Sequence, residues 1–333
     1  MIVLGIESSC DETAASLVED GRVLSNEVSS SVELHEKYGG VVPEIASRFH
    51  VEYIHSVVER ALSDAGKNIG EVDQVSYTMK PGLPGSLLIG KVFAQAISCA
   101  LNVPLIGVDH LHAHVISSFI DEDNKLKELE KLFPFLALIV SGGHTSIYHF
   151  RSLTDFIPIA RTKDDAIGEA FDKVSKMLGL GYPGGPIVEK MSEKFLREKK
   201  NGKKAIINFP RALLKDRDNL DFSFSGIKTA VLYHWNSAHK TEEEKERICY
   251  SFQEAVVDVV REKVARAIKA TKVERLAVGG GVICNKVLRS TLSSFCEKKG
   301  YELFVPRREY CADNAAMVAL LGEKLAKEFI VDS

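Results

Sequence analysis

Short, unbroken apolar runs alternate along this chain with longer stretches of helical periodicity. Residues 2–6 are apolar throughout, the pattern of a strand buried on both faces. A polar turn occupies 7–13, a second apolar run covers 14–18, and Asp20-Gly21 reads as a hairpin turn into 22–24. Between 44 and 65, Ile45, Phe49, Ile54, Val57, Val58 and Leu62 recur at helical spacing. A strand at 75–79 leads through the glycine-rich turn 81–86 into an apolar helix at 87–101. A further strand at 103–108 leads into a histidine-rich helix. Residues 121–132 are charged and read as a solvated connection.

The opening pattern then returns. A buried strand at 135–140, a polar turn at 141–145 and an outgoing strand at 146–150 repeat the order of 2–18. This predicts an α/β fold built from a duplicated unit, with the boundary near 121–134. Further helices are expected at 165–178, 241–270, after 285 and at 313–328, and strands at 276–278 and 302–305.

Composition adds bounds. At 333 residues the chain is comfortable for two domains, and 45% hydrophobic with 27% charged content is that of a soluble globular protein. A net charge of -3 gives no global signal for nucleic acid, so an RNA-binding surface has to be local. The run 193–217, with nine Lys/Arg against three Asp/Glu, is the candidate for phosphate-backbone contacts, and a plain solvated face is its bland alternative. Six scattered cysteines without a C-x-x-C pair fit reduced thiols in a cytosol. The N-terminus lacks a basic region and reads as a strand, not a signal peptide, and no apolar run approaches the roughly 18 residues of a membrane span.

Candidate chemistry centres on His110-Leu111-His112-Ala113-His114. His110 and His114, at i and i+4, share one helix face and can share a transition metal, while His112 points away. The alternative is a pair of merely solvated or hydrogen-bonded imidazoles. Leu111 stands where the zinc proteases carry their general-base glutamate, which counts against peptide hydrolysis. A third ligand is better supplied by Asp313, after a strand and at a helix start, than by Asp109; a first-turn cap is the competing role for Asp313. Asp11 and Glu12 are either ordinary turn acids or groups placed beside a phosphate or metal. Asp164, Asp165, Glu169 and Asp172 read as a solvated acidic face. Four glycine turns, at 82–86, 141–143, 184–185 and 279–281, offer backbone N–H groups to an anion. None is a Walker A loop or a G-x-G-x-x-G fingerprint.

These motifs, in order, resemble the TsaD family, the universal tRNA threonylcarbamoyladenosine transferases formerly described as glycoproteases. The resemblance lies in Gly5-Ile6-Glu7-Ser8-Ser9-Cys10-Asp11-Glu12-Thr13, the histidine segment 110–114, Val140-Ser141-Gly142-Gly143-His144-Thr145, and the segments 168–173, 182–186, 279–285 and 313–317. It runs essentially end to end, and residues 223–230 with the Gly-His-Thr turn resemble the bacterial branch. It implies the actin-like ATPase fold of sugar kinases and Hsp70, with two duplicated RNase H-like domains and a cleft between them. The N-terminal domain would be 1–130, with the histidine pair and a partner contact. The C-terminal domain would be 131–312, with the acyl-adenylate site and the basic patch, and a final helix, 313–333, would return to the first domain.

The resemblance further implies transfer of threonylcarbamoyl from its adenylate to the exocyclic amine of the adenosine 3′ of the anticodon, in tRNAs reading codons that start with A, releasing AMP. Its metal ligands would be His110, His114 and Asp313, holding one divalent ion, iron(II) ahead of zinc. Isoleucine at position 139, where the archaeal and eukaryotic branch resembles a tyrosine, cannot ligate, so the ion would keep more open positions. Substrate-binding positions would be Ile139, Val140, Ser141, Gly142, Gly143, Asp172, Gly185, Glu189 and Asn285, with the adenylate or ATP bound there. Bacterial members often carry a small polar residue where this chain has Glu189. Asp11 or Glu12 would orient the amine or accept its proton. Implied partners are tRNA, a TsaB-like paralogous subunit and a TsaE-like ATPase, with a TsaC-type enzyme supplying the adenylate, all in the cytoplasm and without a membrane. Helix 44–65, through Ile54 and Val58, is the candidate subunit contact, with packing into its own domain as the alternative. An ATP-dependent kinase, which needs no imidazole metal site, and a non-catalytic ATP-binding scaffold are the competing functions.

Overall fold

The computed structural model describes residues 1–199 and 205–331; positions 200–204 of the basic run and 332–333 of the last segment lie outside the described residues. The chain divides into two units, Met1–Leu132 with Val305–Ser333, and Phe133–Phe304.

In the first unit, the apolar run at the N-terminus is strand β1 (Ile2–Glu7), followed by β2 (Glu12–Glu19) and β3 (Arg22–Ser30). A short helix α1 (Val32–Glu36) precedes α2 (Pro43–Ala65), then β4 (Gln74–Lys80), α3 (Pro84–Leu101), β5 (Leu105–Asp109) and the histidine helix α4 (His110–Ser117). The sheet order is β3-β2-β1-β4-β5; β1 pairs antiparallel with β2 and parallel with β4. The parallel neighbours need crossovers, which α2 and α3 provide.

The second unit repeats this plan. It contains β6 (Phe135–Val140), β7 (Thr145–Phe150), β8 (Phe156–Arg161), α5 (Ile167–Met177), α6 (Gly184–Lys199), α7 (Ser225–Ser237), α8 (Glu242–Thr271), β9 (Arg275–Gly279), α9 (Lys286–Lys299) and β10 (Glu302–Phe304). Its order, β8-β7-β6-β9-β10, matches the first sheet position for position, again with one antiparallel and one parallel neighbour for the central strand. Strand β8 escapes the hydrophobic pattern because Pro158 interrupts it; an edge strand tolerates that.

Helix α10 (Ala316–Val331) belongs to the first unit. So do residues 305–312, which the sequence reading assigned to the second domain. Tyr310 Oη donates to Asn124 Oδ1 at 3.1 Å and Arg307 reaches the same oxygen, tying the segment to 121–126. The 121–132 connection is less solvated than its charges suggest, since Leu126 and Leu129 are buried.

Two further expectations change. Ile54, Val57 and Val58 of α2 are buried with Leu4, Ile6 and Leu17 of the sheet, so the stripe proposed as a partner contact is the unit's own core. Helix α3 does reach membrane-span length and apolarity, 18 residues with a mean hydropathy of 1.3. Lys91 breaks its apolar run, which hides it from a search for uninterrupted stretches. In the fold it is the β4–β5 crossover, burying Ser86, Gly90 and Ala94.

Candidate metal centre and anion pocket

The candidate metal site is built where β5 ends. Asp109 caps α4, its Oδ1 accepting from Leu111 N at 3.0 Å and His112 N at 3.1 Å, so the helix begins at His110 and not earlier. The i, i+4 spacing then sets the His110 and His114 rings 4.5 Å apart, edge to face. Asp313 comes in ahead of α10. The cap of that helix is Asn314, whose Oδ1 accepts from Met317 N at 3.1 Å, so Asp313 is not spent as a cap. Its Oδ1 lies 3.0 Å from His114 Nε2 and 3.6 Å from His110 Nε2. One ligand atom from each of the three residues falls within a 4.8 Å cluster. Ligands about 2.1 Å from a shared ion stand roughly 3–3.5 Å apart, so the donor set fits a divalent cation. His112 is buried outside this cluster, and burial pushes its imidazole down to about 4.

The surroundings favour a cation. Burial pulls His110 down, but Asp313 and Glu7 outweigh it and leave the imidazole at about 9. Burial and then the charges of Asp11 and Asp313 push the Glu12 carboxyl well up, and a hydrogen bond between Asp11 and Glu12 adds to it. Burial, Asp11 and Asp313 likewise push the Cys10 thiol up. Glu12 and Cys10 therefore stand within the field of Asp313, which the sequence leaves some 300 residues away. Their loop is held by α2: His50 Nε2 lies 3.0 Å from Cys10 O and its Nδ1 2.7 Å from Thr13 Oγ1.

In the second unit, three of the four glycine turns meet at one cavity of about 220 Å³. Gly142, Asp172, Gly185, Glu189 and Asn285 line it, joined by Gly168, Phe171, Pro186, Gly281, Val282 and Cys284. The fourth turn, at 82–86, instead closes on residues 8–10 of the first unit, with Leu83 N donating to Ser9 O at 2.8 Å. Of the segment 139–143, Ile139 and Val140 are buried inside β6 and do not line the cavity; neither do Ser141 and Gly143. The polar side chains of the cavity already hold its walls. Asp172 Oδ1 accepts from Gly184 N at 2.7 Å, Glu189 Oε1 from Lys286 N at 2.6 Å, and Asn285 Oδ1 caps α9 at Leu288 N, 3.0 Å. Asn285 Nδ2 donates to Gln253 Oε1 at 2.8 Å. No sequence signal marks Phe171 or Cys284 as lining residues. They are brought in by the turns beside them.

Two glycines set the cavity wall. A Cβ on Gly168 would stand 2.8 Å from Gly142 Cα, so α5 can seat its first turn on the 141–143 loop only without one. Gly280 has φ +95°, and a Cβ there would lie 2.4 Å from Val140 O.

The acidic residues at 164–172 are engaged by partners as well as by solvent, with Asp164 exposed and Asp165 partly buried. Asp164 Oδ1 accepts from Phe224 N at 2.7 Å and Ser225 N at 3.1 Å. Asp165 binds Lys173 and Lys228 at 2.7 and 2.5 Å. Within the described part of the basic run, Arg211 is engaged by Asp258 at 2.9 Å.

A family profile for TsaD, tRNA N6-adenosine threonylcarbamoyltransferase, matches residues 22–320. Proteins of that name are similar in Syntrophus aciditrophicus, 45% identical over 328 residues (98% of this chain, 92% of the relative), and in Clostridium beijerinckii, 47% over 320 residues (95% and 90%). Among solved structures, full-length HypF superposes with a TM-score of 0.60 at 15% identity, covering 98% of this chain and 46% of HypF. Component A of the (R)-2-hydroxyglutaryl-CoA dehydratase of Acidaminococcus fermentans gives a TM-score of 0.53 at 12% identity, covering 98% and 99%. These likenesses show a fold shared with those two proteins along nearly the whole of this chain.

Proposed function

Since the chain belongs to the TsaD family of tRNA N6-adenosine threonylcarbamoyltransferases, and transfers a threonylcarbamoyl group to an anticodon-region adenosine of tRNA, we propose that His110, His114 and Asp313 hold the divalent metal of that reaction. The observation that carries this is the convergence of two imidazole nitrogens and one carboxylate oxygen within 4.8 Å, with Glu7 beside His110 and Glu12 within the field of Asp313. A bound ion supplies Lewis-acid polarisation of the acyl or phosphate oxygens. The chain's own residues do the rest. The glycine turns at 142, 185 and 281 offer backbone N–H donors to the AMP portion, and Asp172, Glu189 and Asn285 keep those turns in place. Asp11 or Glu12 orients the adenosine amine or accepts its proton. The amine is a weak nucleophile and AMP a good leaving group, so positioning carries most of the rate. A kinase or a passive scaffold gives the triad no role.

N/O sites accept both iron(II) and zinc, and we place iron(II) first, as the family resemblance implies. Protein purified without oxygen or added metal is expected to carry close to one iron per chain by plasma emission. Metal-free protein with full transfer activity would sink the assignment.

The shared strand order supports reading the two units as duplicated RNase H-like domains. The six free thiols and a tRNA substrate favour a cytoplasmic setting. As partners we infer a TsaB-type paralogue, a TsaE-type ATPase and a TsaC-type source of the adenylate. The paralogue would dock on the apolar residues that α2 and α3 leave exposed, Val51, Leu88 and Val92. Leu88→Glu with Val92→Glu should then abolish co-elution with the paralogue in size-exclusion chromatography, with melting unchanged. Ile54→Glu, which buries a charge in the core, is expected to cost at least about 3 kcal/mol of stability in urea unfolding. Co-elution retained by the double variant would move the interface elsewhere.

A further inference from the structure

Glu7, the last residue of β1, is a fully buried acid outside the proposed ligand set. A buried carboxylate is costly unless it is paired and hydrogen-bonded. Ser9 N donates to Glu7 Oε1 at 2.5 Å and Thr78 Oγ1 to Oε2 at 2.5 Å, while His110 Nδ1 stands 3.2 Å from Oε2. An ionised carboxylate can accept from all three, whereas a protonated one would set a donor against donors.

The two nitrogens of an imidazole lie at opposite ends of the ring edge, so anchoring one aims the other. His110 Nε2 is turned to Asp313 Oδ1, 3.6 Å away. His114 lacks this arrangement: its Nδ1 is buried with no hydrogen-bond partner among the described residues. We propose that Glu7 is a positioning residue of the metal centre, accepting a hydrogen bond from His110 Nδ1–H and so fixing the tautomer and rotation that direct Nε2 to the ion. Carboxylates that bind the far nitrogen of a ligating histidine tune metal affinity by about ten- to a hundredfold. Ser9 Oγ, 3.3 Å from the same Nδ1, is the rival anchor. The inference rests on the metal assignment made above.

The test uses the full chain, stripped with a chelator and titrated with zinc against a chromogenic competitor. Glu7→Gln should bind zinc about ten- to a hundredfold more weakly than the parent, with an unchanged circular dichroism spectrum, and Ser9→Ala should stay within about threefold. In the zinc-loaded parent, long-range ¹H–¹⁵N spectra of the His110 ring should show its proton on Nδ1. This second measurement decides the matter even where Glu7→Gln fails to fold. A Glu7→Gln affinity within twofold of the parent, or a proton on Nε2, overturns the role of Glu7 while leaving the metal. A parent that takes up no zinc or iron overturns both.

Discussion

Asp313→Ala is expected to strip the metal from this protein and to lower threonylcarbamoyl transfer by about a thousandfold, because Lewis-acid stabilisation worth roughly 4 kcal/mol is lost with the ion. Asp313 is the only carboxylate of the triad and the only member that reaches both imidazoles, at 3.0 and 3.6 Å. Two neutral imidazoles one helical turn apart supply neither the charge nor the third ligand that a divalent ion needs. The fold should survive, since Asn314 and not Asp313 caps α10. Asp313→Asn keeps the shape without the charge and should recover little. Metal per chain and modified adenosine per tRNA, measured on the same preparations, check this. An Asp313→Ala protein that keeps one tightly held ion would remove Asp313 from the ligand set.

Gly280→Ala should be the most damaging single methyl in the second unit. The residue sits at φ +95° and ψ 153°, where a side chain costs about 1–3 kcal/mol, and its Cβ would lie 2.4 Å from Val140 O. That oxygen belongs to the central strand of the sheet and has no flexible end to move. Overpacking adds about 1–3 kcal/mol, so a loss near 3 kcal/mol is expected in urea unfolding. The turn would have to shift, and Gly281 and Val282 of the cavity wall would move with it. AMP binding measured by calorimetry should therefore weaken at least about tenfold, the effect of roughly 1.4 kcal/mol. Gly143→Ala, a position with open space around it, serves as control and should leave both quantities near the parent. Equal stability of the two variants would show that the Val140–Gly280 contact does not constrain the turn.

Much of the fold is legible in local pattern. The apolar runs at 2–6 and 135–140 became the central strands of two sheets of identical order, and the duplicated strand–turn–strand signal located both. Elements escaped where tertiary context overrides propensity: Pro158 hides an edge strand, and α6 overlaps the basic run whose charges resemble a solvated segment. The apolar stripe of α2 looked equally suited to a partner and to a core, because periodicity reports which face is apolar and not what covers it. The acids at 164 and 165 read as solvated because their partners, at 223–228, are some 60 residues away.

At the proposed metal centre the division is sharper. The histidine spacing alone put two imidazoles on one helix face, since the 3.6-residue period is a property of the local backbone. Capping by Asp109 fixed where that helix starts, again within three residues. What the tertiary structure decided is which distant groups meet them. Asp313 arrives from 199 positions beyond His114, and Glu7 from 103 positions before His110, through sheet pairing and helix packing that no local window contains. The same holds for the cavity, where turns at 142, 185 and 281 converge only because β6 and β9 are hydrogen-bonded neighbours and α5 seats on the first of those turns. Local dihedral preference and side-chain period travel with the sequence. Contact between remote segments is set by which strands pair and which faces are buried.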